Sequence, residues 1–466
     1  MRDIFAWVSE LDAASLVAVA EGGLAEPTSV RRAADAILAV RAAAEAPGAD
    51  RPTDYLDIQR LLRAQADDDA DSIHLGRSRQ DILATVHRLL LRDRLIAFAE
   101  ALVELRRAVV AQAAEHPHVV VPAYTNGVQA QPTAFGQLML GYEAALARSS
   151  ERVLHSYRRV NRCPLGTAAL ATSSYDVDRR RLAELLGFDA PEENAFDAAQ
   201  LAPVDIGFDA ASAAVAAALT TSTLVQDLAA QYHHSRPWLL LAAPALIAPS
   251  TLMPQKRNPV ALGWVRLLAS EVVGDGVRAT LVGHNVASGM TDYKRYDAAE
   301  TLERAHAMAR SLTDVVRDIR LDAEAARAEL GAEFSTASHA AGTLAKMAGI
   351  SQRQAHAIVS ALVDDARAAG LGSAGVDAER VERAARAVLG DELTVDASAV
   401  VAAFDPASMV AAARGLGGPQ PAEVGRMLAS AEHRIAADAD ALSDLGDALH
   451  RADERRQAAL VQLSGS

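Results

Sequence analysis

The most informative segment for chemistry runs from Pro249 to Pro259, with Ser250 near its start and Lys256 and Asn258 near its end. Asn258 is a good helix N-cap and Pro259 suits the first helical position, so we predict a helix that begins at the end of this loop. The unpaired N–H groups of such a helix and the ammonium of Lys256 would both attract negative charge. The segment therefore predicts an anion-binding loop, although an ordinary loop before a capped helix has the same pattern.

A second polar segment, Ser78-Arg79-Gln80-Asp81, precedes a long helical pattern. Its S-x-x-D spacing is a capping box, in which the first and last side chains bind backbone N–H groups at the helix start. The guanidinium of Arg79 can hold a carboxylate through two parallel hydrogen bonds, and the helix N-terminus adds to that attraction. We predict a second anion-binding point here, while a charged helix start without a function has the same pattern.

Long helices must position these segments, because helical periodicity runs through most of the chain and strand signals are nearly absent. After the capping box, apolar residues recur every seven positions, which indicates one helix of about 30 residues and about 45 Å. They are Ile82, Leu89, Ile96, Val103 and Val110. Further long helices are predicted at about 133–159, 210–232, 259–281 and 298–319. These are more long helices than a compact monomer needs, so we predict an elongated bundle that packs against copies of itself.

Helix breakers and loops near both ends of the chain suggest three domains, as its 466 residues also do. We predict an N-terminal helical domain at 1–80, a central long-helix bundle with the catalytic loop at 81–331, and a C-terminal helical domain at 332–466.

The composition excludes several classes of function. The chain has 60 acidic and 46 basic residues and a formal net charge of −14, which argues against nucleic-acid binding. Its one cysteine, Cys163, rules out an internal disulfide and favours the cytoplasm, with packing as its expected role. We expect no signal peptide, no membrane span and no metal or phosphate-binding motif. The His233-His234 pair and His284 are expected at the surface or at helix ends.

The first loop resembles the signature G-S-S-x-x-P-x-K-x-N of the argininosuccinate lyase/fumarase superfamily, with Pro249 in place of the leading glycine. The resemblance implies that Ser250 is the catalytic base and that Lys256 and Asn258 stabilise the carboxylate on which charge develops. It also places Thr251 and Met253 among the substrate contacts.

Two other segments are similar to argininosuccinate lyase motifs. Ser78, Arg79 and Gln80 match a carboxylate-binding Ser-Arg-Asn, with Gln80 one methylene longer than the family's Asn. The segment 124–132 resembles Y-T-H-x-Q-x-A-Q-P and implies substrate contacts by Thr125, Gln129 and Gln131.

The residue in place of that motif's histidine is Asn126. The histidine is the family's usual proton-handling residue near the leaving group, and Asn cannot transfer a proton at neutral pH. The proton for the leaving group must therefore come from elsewhere, with Asp292, Asp297 and His284 as candidates, or the leaving group must be stable as an anion.

The segment 289–300 is similar to the stretch that holds the arginine part of the substrate in argininosuccinate lyases. Of that pattern it keeps Lys294 and has Asp292, Asp297 and Glu300 at the other positions. A glutamate in place of a lysine would repel a substrate carboxylate or favour an amine.

The resemblance covers about residues 10–430 and implies an all-α, three-domain fumarase/aspartase-like fold. It further implies a homotetramer with a core of about twenty long helices, active sites shared between subunits, and a small dicarboxylate-type substrate. The implied reaction is an anti β-elimination that releases fumarate and needs no cofactor, because a substrate carboxylate accepts the developing charge. Three hypotheses remain: a divergent lyase for an N-substituted aspartate or similar succinate, argininosuccinate lyase itself, and a catalytically silent, crystallin-like scaffold.

Overall fold

Helices make up most of the residues that the computed structural model describes, which are 3–290, 298–390 and 396–465. In chain order they are α1 (Ile4–Glu21), α2 (Pro27–Glu45), α3 (Tyr55–Ala66), α4 (Arg79–Glu115), α5 (Phe135–Val160), α6 (Arg179–Leu185), α7 (Ala202–Gln231), α8 (Val260–Gly283), α9 (Ala298–Arg317), α10 (Ala323–Ala332), α11 (Ala337–Ala348), α12 (Gln352–Ala368), α13 (Ala378–Leu389), α14 (Ala397–Ala402), α15 (Pro406–Ala412) and α16 (Pro421–Leu463). The predicted all-α fold class is confirmed.

Short strands lie between some of these helices and pair two by two. They are β1 (Val120–Thr125), β2 (Val128–Ala134), β3 (Arg162–Cys163), β4 (Ala190–Pro191), β5 (Leu239–Leu241), β6 (Ala248–Pro249), β7 (Arg257–Asn258) and β8 (Ile319–Leu321). Strand β1 pairs with β2, β3 with β4, β5 with β8 and β6 with β7. One turn of π-helix, 197–201, leads directly into α7.

Helix α4 confirms the long helix that the seven-residue stripe predicts. Ser78 N donates to Asp81 Oδ1 (2.8 Å) and Gln80 N donates to Ser78 Oγ (3.0 Å), so the capping box forms. No Gly or Pro interrupts the 37 residues of the helix, which therefore spans about 55 Å. Helices α5, α7, α8 and α9 correspond to the other predicted long helices, although α7 begins earlier than predicted, at Ala202.

The long helices alternate in direction. Helix α7 starts beside the start of α4, where Gln80 Nε2 donates to Ala199 O (3.0 Å) just before α7. Helix α8 runs the opposite way, because its last residue, Gly283, packs against Val204 in the first turn of α7. The bundle therefore has a Ser78 end, where α4 and α7 begin and α8 ends, and an opposite end, where α4 and α7 end and α8 begins.

The opposite end carries a β-hairpin that the sequence analysis missed. Strands β1 and β2 are joined by Asn126 and Gly127, whose φ angles are 53° and 77°. Asn-Gly is the preferred pair for a two-residue type I′ turn, which needs positive φ at both positions. Phe135 N donates to Val119 O (2.8 Å) at the base of the hairpin, so the base lies where α5 begins. We call this the hairpin end of the bundle.

The prediction that Asn258 is the N-cap of α8 is wrong. The helix begins at Val260, and its N-cap position is Pro259, which has no side-chain capping bond. Asn258 instead lies in β7 and its Nδ2 donates to Ala248 O (3.1 Å). An Asn side chain can cap a helix or bind across a pair of strands. Here the pairing of β6 with β7 places Asn258 in a strand and not at the helix start.

Three groups of buried apolar residues hold the fold together: one inside the long-helix bundle, one among α1–α3 and the start of α4, and one among α11–α14. Helix α16 connects two of them, because Val424 and Ile435 pack in the bundle and Leu460 packs in the N-terminal group. The domain boundaries near 80 and 331 stay predictions.

Cys163 is fully buried in the N-terminal group, where burial raises the pKa of its thiol to about 12.

The stretch 197–231 is the one part of the described chain that is long and apolar enough to cross a membrane, and half of it is buried. It packs against α5, α8 and α9 in the bundle, as a core helix does.

Candidate active site

The loop that carries Ser250 is closed by a small antiparallel pair of strands. Ala248 pairs with Asn258 and Pro249 with Arg257, so residues 250–256 form a compact loop at the hairpin end of the bundle, just before α8. Within it, Lys256 N donates to Met253 O (3.0 Å). These contacts fix the entry and the exit of the loop.

Two backbone N–H groups point at the hydroxyl oxygen of Ser250. Met253 N donates to Ser250 Oγ at 3.0 Å and Leu252 N at 3.3 Å. N–H donors at an oxygen favour its negatively charged form. These two donors would stabilise negative charge on the Ser250 oxygen, as the predicted role of a base requires.

The rest of the loop faces away from its own chain. Thr251, Met253 and Lys256 are all exposed, and the side chain of Leu252 is 83% exposed. Within the described part of the chain, no carboxylate lies within ion-pairing distance of the Lys256 ammonium. One subunit alone thus leaves the Ser250 loop and the Lys256 ammonium open to solvent on one side.

The hairpin presents a second set of predicted site residues at the same end of the bundle. Thr125 and Asn126 form its exposed tip, and Gln131 is exposed along β2. Gln129 is already engaged, because its Nε2 donates to Glu329 O (3.0 Å). Its side chain therefore fastens the hairpin to α10.

The third set, Ser78, Arg79 and Gln80, lies at the Ser78 end. The Ser78 hydroxyl caps α4 and the Gln80 amide binds the π-helical turn before α7, so both polar groups position the helix start. Arg79 is exposed and reaches Asp54 at 3.3 Å. It is the member of this set whose charge remains accessible to a substrate carboxylate.

Asp81 joins this helix start to the neighbouring loop. Its Oδ2 accepts hydrogen bonds from Gly166 N (2.9 Å) and Ala168 N (3.1 Å). Burial raises the pKa of the Asp81 carboxyl to about 6, against the opposite effect of these N–H donors and of Arg77. The loop that follows contains two non-glycine residues with left-handed backbone, Ala168 (φ 50°) and Thr172 (φ 63°).

Ser78, Arg79 and Gln80 do not meet the other predicted site residues within one chain. The hairpin base lies at the end of α4, about 55 Å from Ser78, and the six residues of β1 can reach back by about 20 Å. The hairpin tip is thus at least about 35 Å from Ser78, farther than a succinate-sized molecule reaches. The Ser250 loop is separated from Ser78 by the length of α8, 24 residues or about 36 Å.

Segment 289–300 is described only in part, and Asp292, Lys294 and Asp297 lie outside the described residues. Glu300 at the start of α9 lies 3.7 Å from Arg278 and 3.6 Å from Arg304. These two guanidinium groups balance the charge of Glu300. They therefore weaken the repulsion of a substrate carboxylate that the sequence predicts.

Sequence reasoning missed a cluster behind the hairpin tip. The Tyr124 hydroxyl donates to the Glu329 carboxylate, and Trp238 Nε1 donates to the Tyr124 oxygen at 3.3 Å. His234 Nδ1 lies 3.5 Å from Glu329 Oε2. These residues are far apart in sequence, so no local motif could reveal them.

Comparison with known proteins places this chain among lyases. Residues 9–274 match a protein family described as Lyase. The argininosuccinate lyase of Natronomonas pharaonis is 36% identical over 91% of this chain and 85% of its own length, and that of Haloarcula marismortui is 33% identical over 97% and 90%. Among solved structures, an EDDS lyase in complex with formate is 28% identical with a TM-score of 0.88, and an EDDS lyase variant with bound fumarate is 27% identical with a TM-score of 0.90. Each comparison covers 98% of this chain and 91% of the other.

Proposed function

Since this chain belongs to the argininosuccinate lyase/fumarase superfamily and is a lyase, we propose that it catalyses an anti β-elimination on a substituted succinate of the N-substituted aspartate type and releases fumarate. The observation that carries the proposal is the Ser250 hydroxyl, which accepts two backbone N–H groups in an exposed loop beside Lys256. Because the chain is a lyase, a silent scaffold is no longer a competing hypothesis.

Ser250 is the base of this reaction. Its alkoxide, stabilised by the N–H groups of Leu252 and Met253, takes the proton from the carbon next to a substrate carboxylate. The electron pair moves onto that carboxylate, where the ammonium of Lys256 stabilises the charge. Asn258 contributes by holding β6 and β7 together, since its amide binds Ala248 O (3.1 Å). The bond to the β-substituent then breaks and fumarate forms.

The remaining predicted residues bind the substrate. Arg79 holds a carboxylate, and Thr125, Gln131, Thr251 and Met253 border the site from the hairpin tip and the Ser250 loop. Ser78, Gln80 and Gln129 act one step further away, because their polar groups fix the elements that carry these contacts. The role of Lys294, in the leaving-group part of the site, rests on the resemblance.

The complete site requires several subunits, and we infer a homotetramer with shared active sites and a core of about twenty long helices. The at least 35 Å between Ser78 and the hairpin tip within one chain supports this assembly. Apolar side chains exposed along α7 and α8 support it too, since a surface of this kind marks a protein–protein contact. They include Leu219, Trp264, Leu267, Val277 and Leu281. We also place the enzyme in the cytoplasm, where its lone thiol remains reduced.

Argininosuccinate lyase activity is the second candidate, because the argininosuccinate lyases of two archaea share a third or more of their residues with this chain. The changed residues of segment 289–300, the stretch that holds the arginine part of the substrate in argininosuccinate lyases, favour the first candidate. Asn126 does not separate the two, because a departing guanidine and a departing amine both need a proton that its amide cannot supply.

Fumarate release, followed by its ultraviolet absorbance, tests the proposal. The purified enzyme is offered a panel of N-substituted aspartates, argininosuccinate and nitrosuccinate, with the Ser250→Ala variant as control. We expect one of the other N-substituted aspartates to give a higher kcat/KM than argininosuccinate. Preference for argininosuccinate would establish the second candidate, and failure to release fumarate from any of them would refute the proposal.

A further inference from the structure

The cluster behind the hairpin tip consists of a carboxylate, an imidazole and a phenol from three elements. Glu329 comes from α10, Tyr124 from β1 and His234 from the segment after α7. The rings of Tyr124 and His234 are 6.3 Å apart between centroids. Glu329 and His234 lie outside the motifs that the sequence analysis assigned to the site, and Tyr124 is the tyrosine that opens the segment 124–132.

Glu329 orients the imidazole. Its Oε1 accepts the Tyr124 hydroxyl, while its Oε2 is buried and accepts no hydrogen bond among the described residues. A buried carboxylate oxygen without a donor is costly, and His234 Nδ1 at 3.5 Å is positioned to become that donor after a shift of a few tenths of an ångström. A ring held through Nδ1 leaves Nε2 for other chemistry. About a third of the His234 side chain, 34%, is exposed.

The other charged groups near His234 pair with one another, one guanidinium with two carboxylates. Arg236 lies 3.5 Å from Glu324 and 3.9 Å from Asp322. His233, the preceding residue, is exposed. Glu329 is therefore the charged group that faces the His234 ring, with Tyr124 on its hairpin side.

The cluster lies on the same hairpin as Asn126, the position in the site that lacks a proton donor. Tyr124 is two residues from Asn126, about 7 Å along an extended chain. Because His234 contacts the same hairpin within the same subunit, it accompanies the tip into whichever active site the tip completes.

On the basis of the proposed function, we propose that His234, oriented by Glu329, donates the proton that the departing amine needs and that Asn126 cannot supply. When the C–N bond breaks, its electron pair stays on nitrogen, and nitrogen takes the proton from His234 Nε2 directly or through one water. Ser250 has meanwhile taken one proton from carbon. The enzyme gains one proton and loses one, and exchange with solvent restores both residues.

Two substrates with different leaving groups distinguish acid catalysis by His234 from a purely structural role of His234 in supporting the hairpin. Nitrite leaves nitrosuccinate as a stable anion, whereas an amine must be protonated. His234→Asn should lower kcat about 10²–10⁴-fold on the N-substituted aspartate that the wild type cleaves fastest, with KM unchanged. On nitrosuccinate its effect should stay within about threefold, because no proton is needed there. His233→Asn, the matched control, should leave both rates unchanged.

A pH profile with the amine substrate gives an independent measurement. An acid catalyst must be protonated, so the wild-type kcat/KM should fall at alkaline pH, and His234→Asn should lack that fall. An equal loss on both substrates, or a variant that keeps the wild-type rate and the same alkaline fall, would overturn the inference. If the wild type releases fumarate from none of the succinates, the proposed function fails instead.

Discussion

Subunit mixing offers the sharpest test of how the active site is assembled. Arg79 and Ser250 lie at opposite ends of the bundle, separated by about the 36 Å length of α8, so a shared site must take them from different subunits. We consider two inactive variants, Arg79→Ala and Ser250→Ala, produced together in one cell with different affinity tags.

Each variant alone should be nearly inactive. Arg79→Ala removes two charge-assisted hydrogen bonds worth about 1.5–3 kcal/mol each, which lowers kcat/KM by about 10²-fold or more. Ser250→Ala removes the base and costs about 10²–10⁴-fold. Both side chains are at least partly exposed in the subunit, so neither change should unfold it.

In mixed tetramers, a site is intact when its Arg79 comes from a Ser250→Ala subunit and its Ser250 comes from an Arg79→Ala subunit. With equal amounts and random placement, each condition holds for half of the sites, so about a quarter of all sites should be active, or about 29% in the tetramers that contain both variants. The matched control combines Ser250→Ala with Lys256→Ala. These residues share one loop, so every site receives one defect and no activity should return.

The assay measures fumarate release by tetramers purified through both tags in succession, so that only mixed assemblies are counted. Activity no higher than that of the single variants, in tetramers shown to contain both tags, would refute the reasoning. It would mean that Arg79 and Ser250 of one site belong to one subunit, against the separation that α8 imposes.

Four further changes have expected outcomes. Ser250→Ala should abolish fumarate release but leave the circular dichroism and the thermal unfolding curve unchanged, because its hydroxyl contacts only its own exposed loop. Thr172→Gly should raise the free energy of unfolding by up to about 1 kcal/mol by relieving a left-handed β-branched residue, and Thr172→Ala should gain less, as urea titration will show. Asp81 binds its proton more tightly in the folded protein, since burial raises its pKa to about 6; its contribution to stability is therefore lost as pH rises from about 4 to 6. Relative to Asp81→Asn, the wild type should lose about 3 kcal/mol over that window in urea unfolding. Asn126→His should change kcat on an amine substrate less than about tenfold, because His234 already supplies the proton, and a hundredfold gain would contradict that assignment.

The sequence predicts the long helices well because their signals are local. The stripe from Ile82 to Val110 and the capping box at Ser78 set the start and the buried face of α4 without reference to the rest of the chain. The Asn-Gly pair of the hairpin is an equally local signal, because positive φ at both positions is set by the two residues themselves. The residue types of the Ser250 loop predict its chemistry, and the contacts that close the loop all lie within residues 248–258.

Tertiary contacts explain where sequence reasoning fell short. Asn258 suits a helix N-cap, but its pairing with Ala248 depends on a strand ten residues earlier. Glu300 looks like a free negative charge until α8 brings Arg278 to it. The contact between Tyr124 and Glu329 spans 205 residues. In each case the decisive partner comes from another element, and its identity depends on how the elements pack.

Asn126 shows how local geometry and chemistry constrain the site together. Its φ of 53°, followed by 77° at Gly127, is the conformation that Asn adopts more readily than most residues. Turn geometry alone therefore accounts for an Asn at the tip, so its presence does not mean that the reaction has no need of an acid. An acid that serves a tip of this kind must lie on an element that the hairpin touches. Within the described chain, the imidazole that contacts the hairpin and faces the Glu329 carboxylate is His234, so this neighbour can transfer the proton while Asn126 forms the turn.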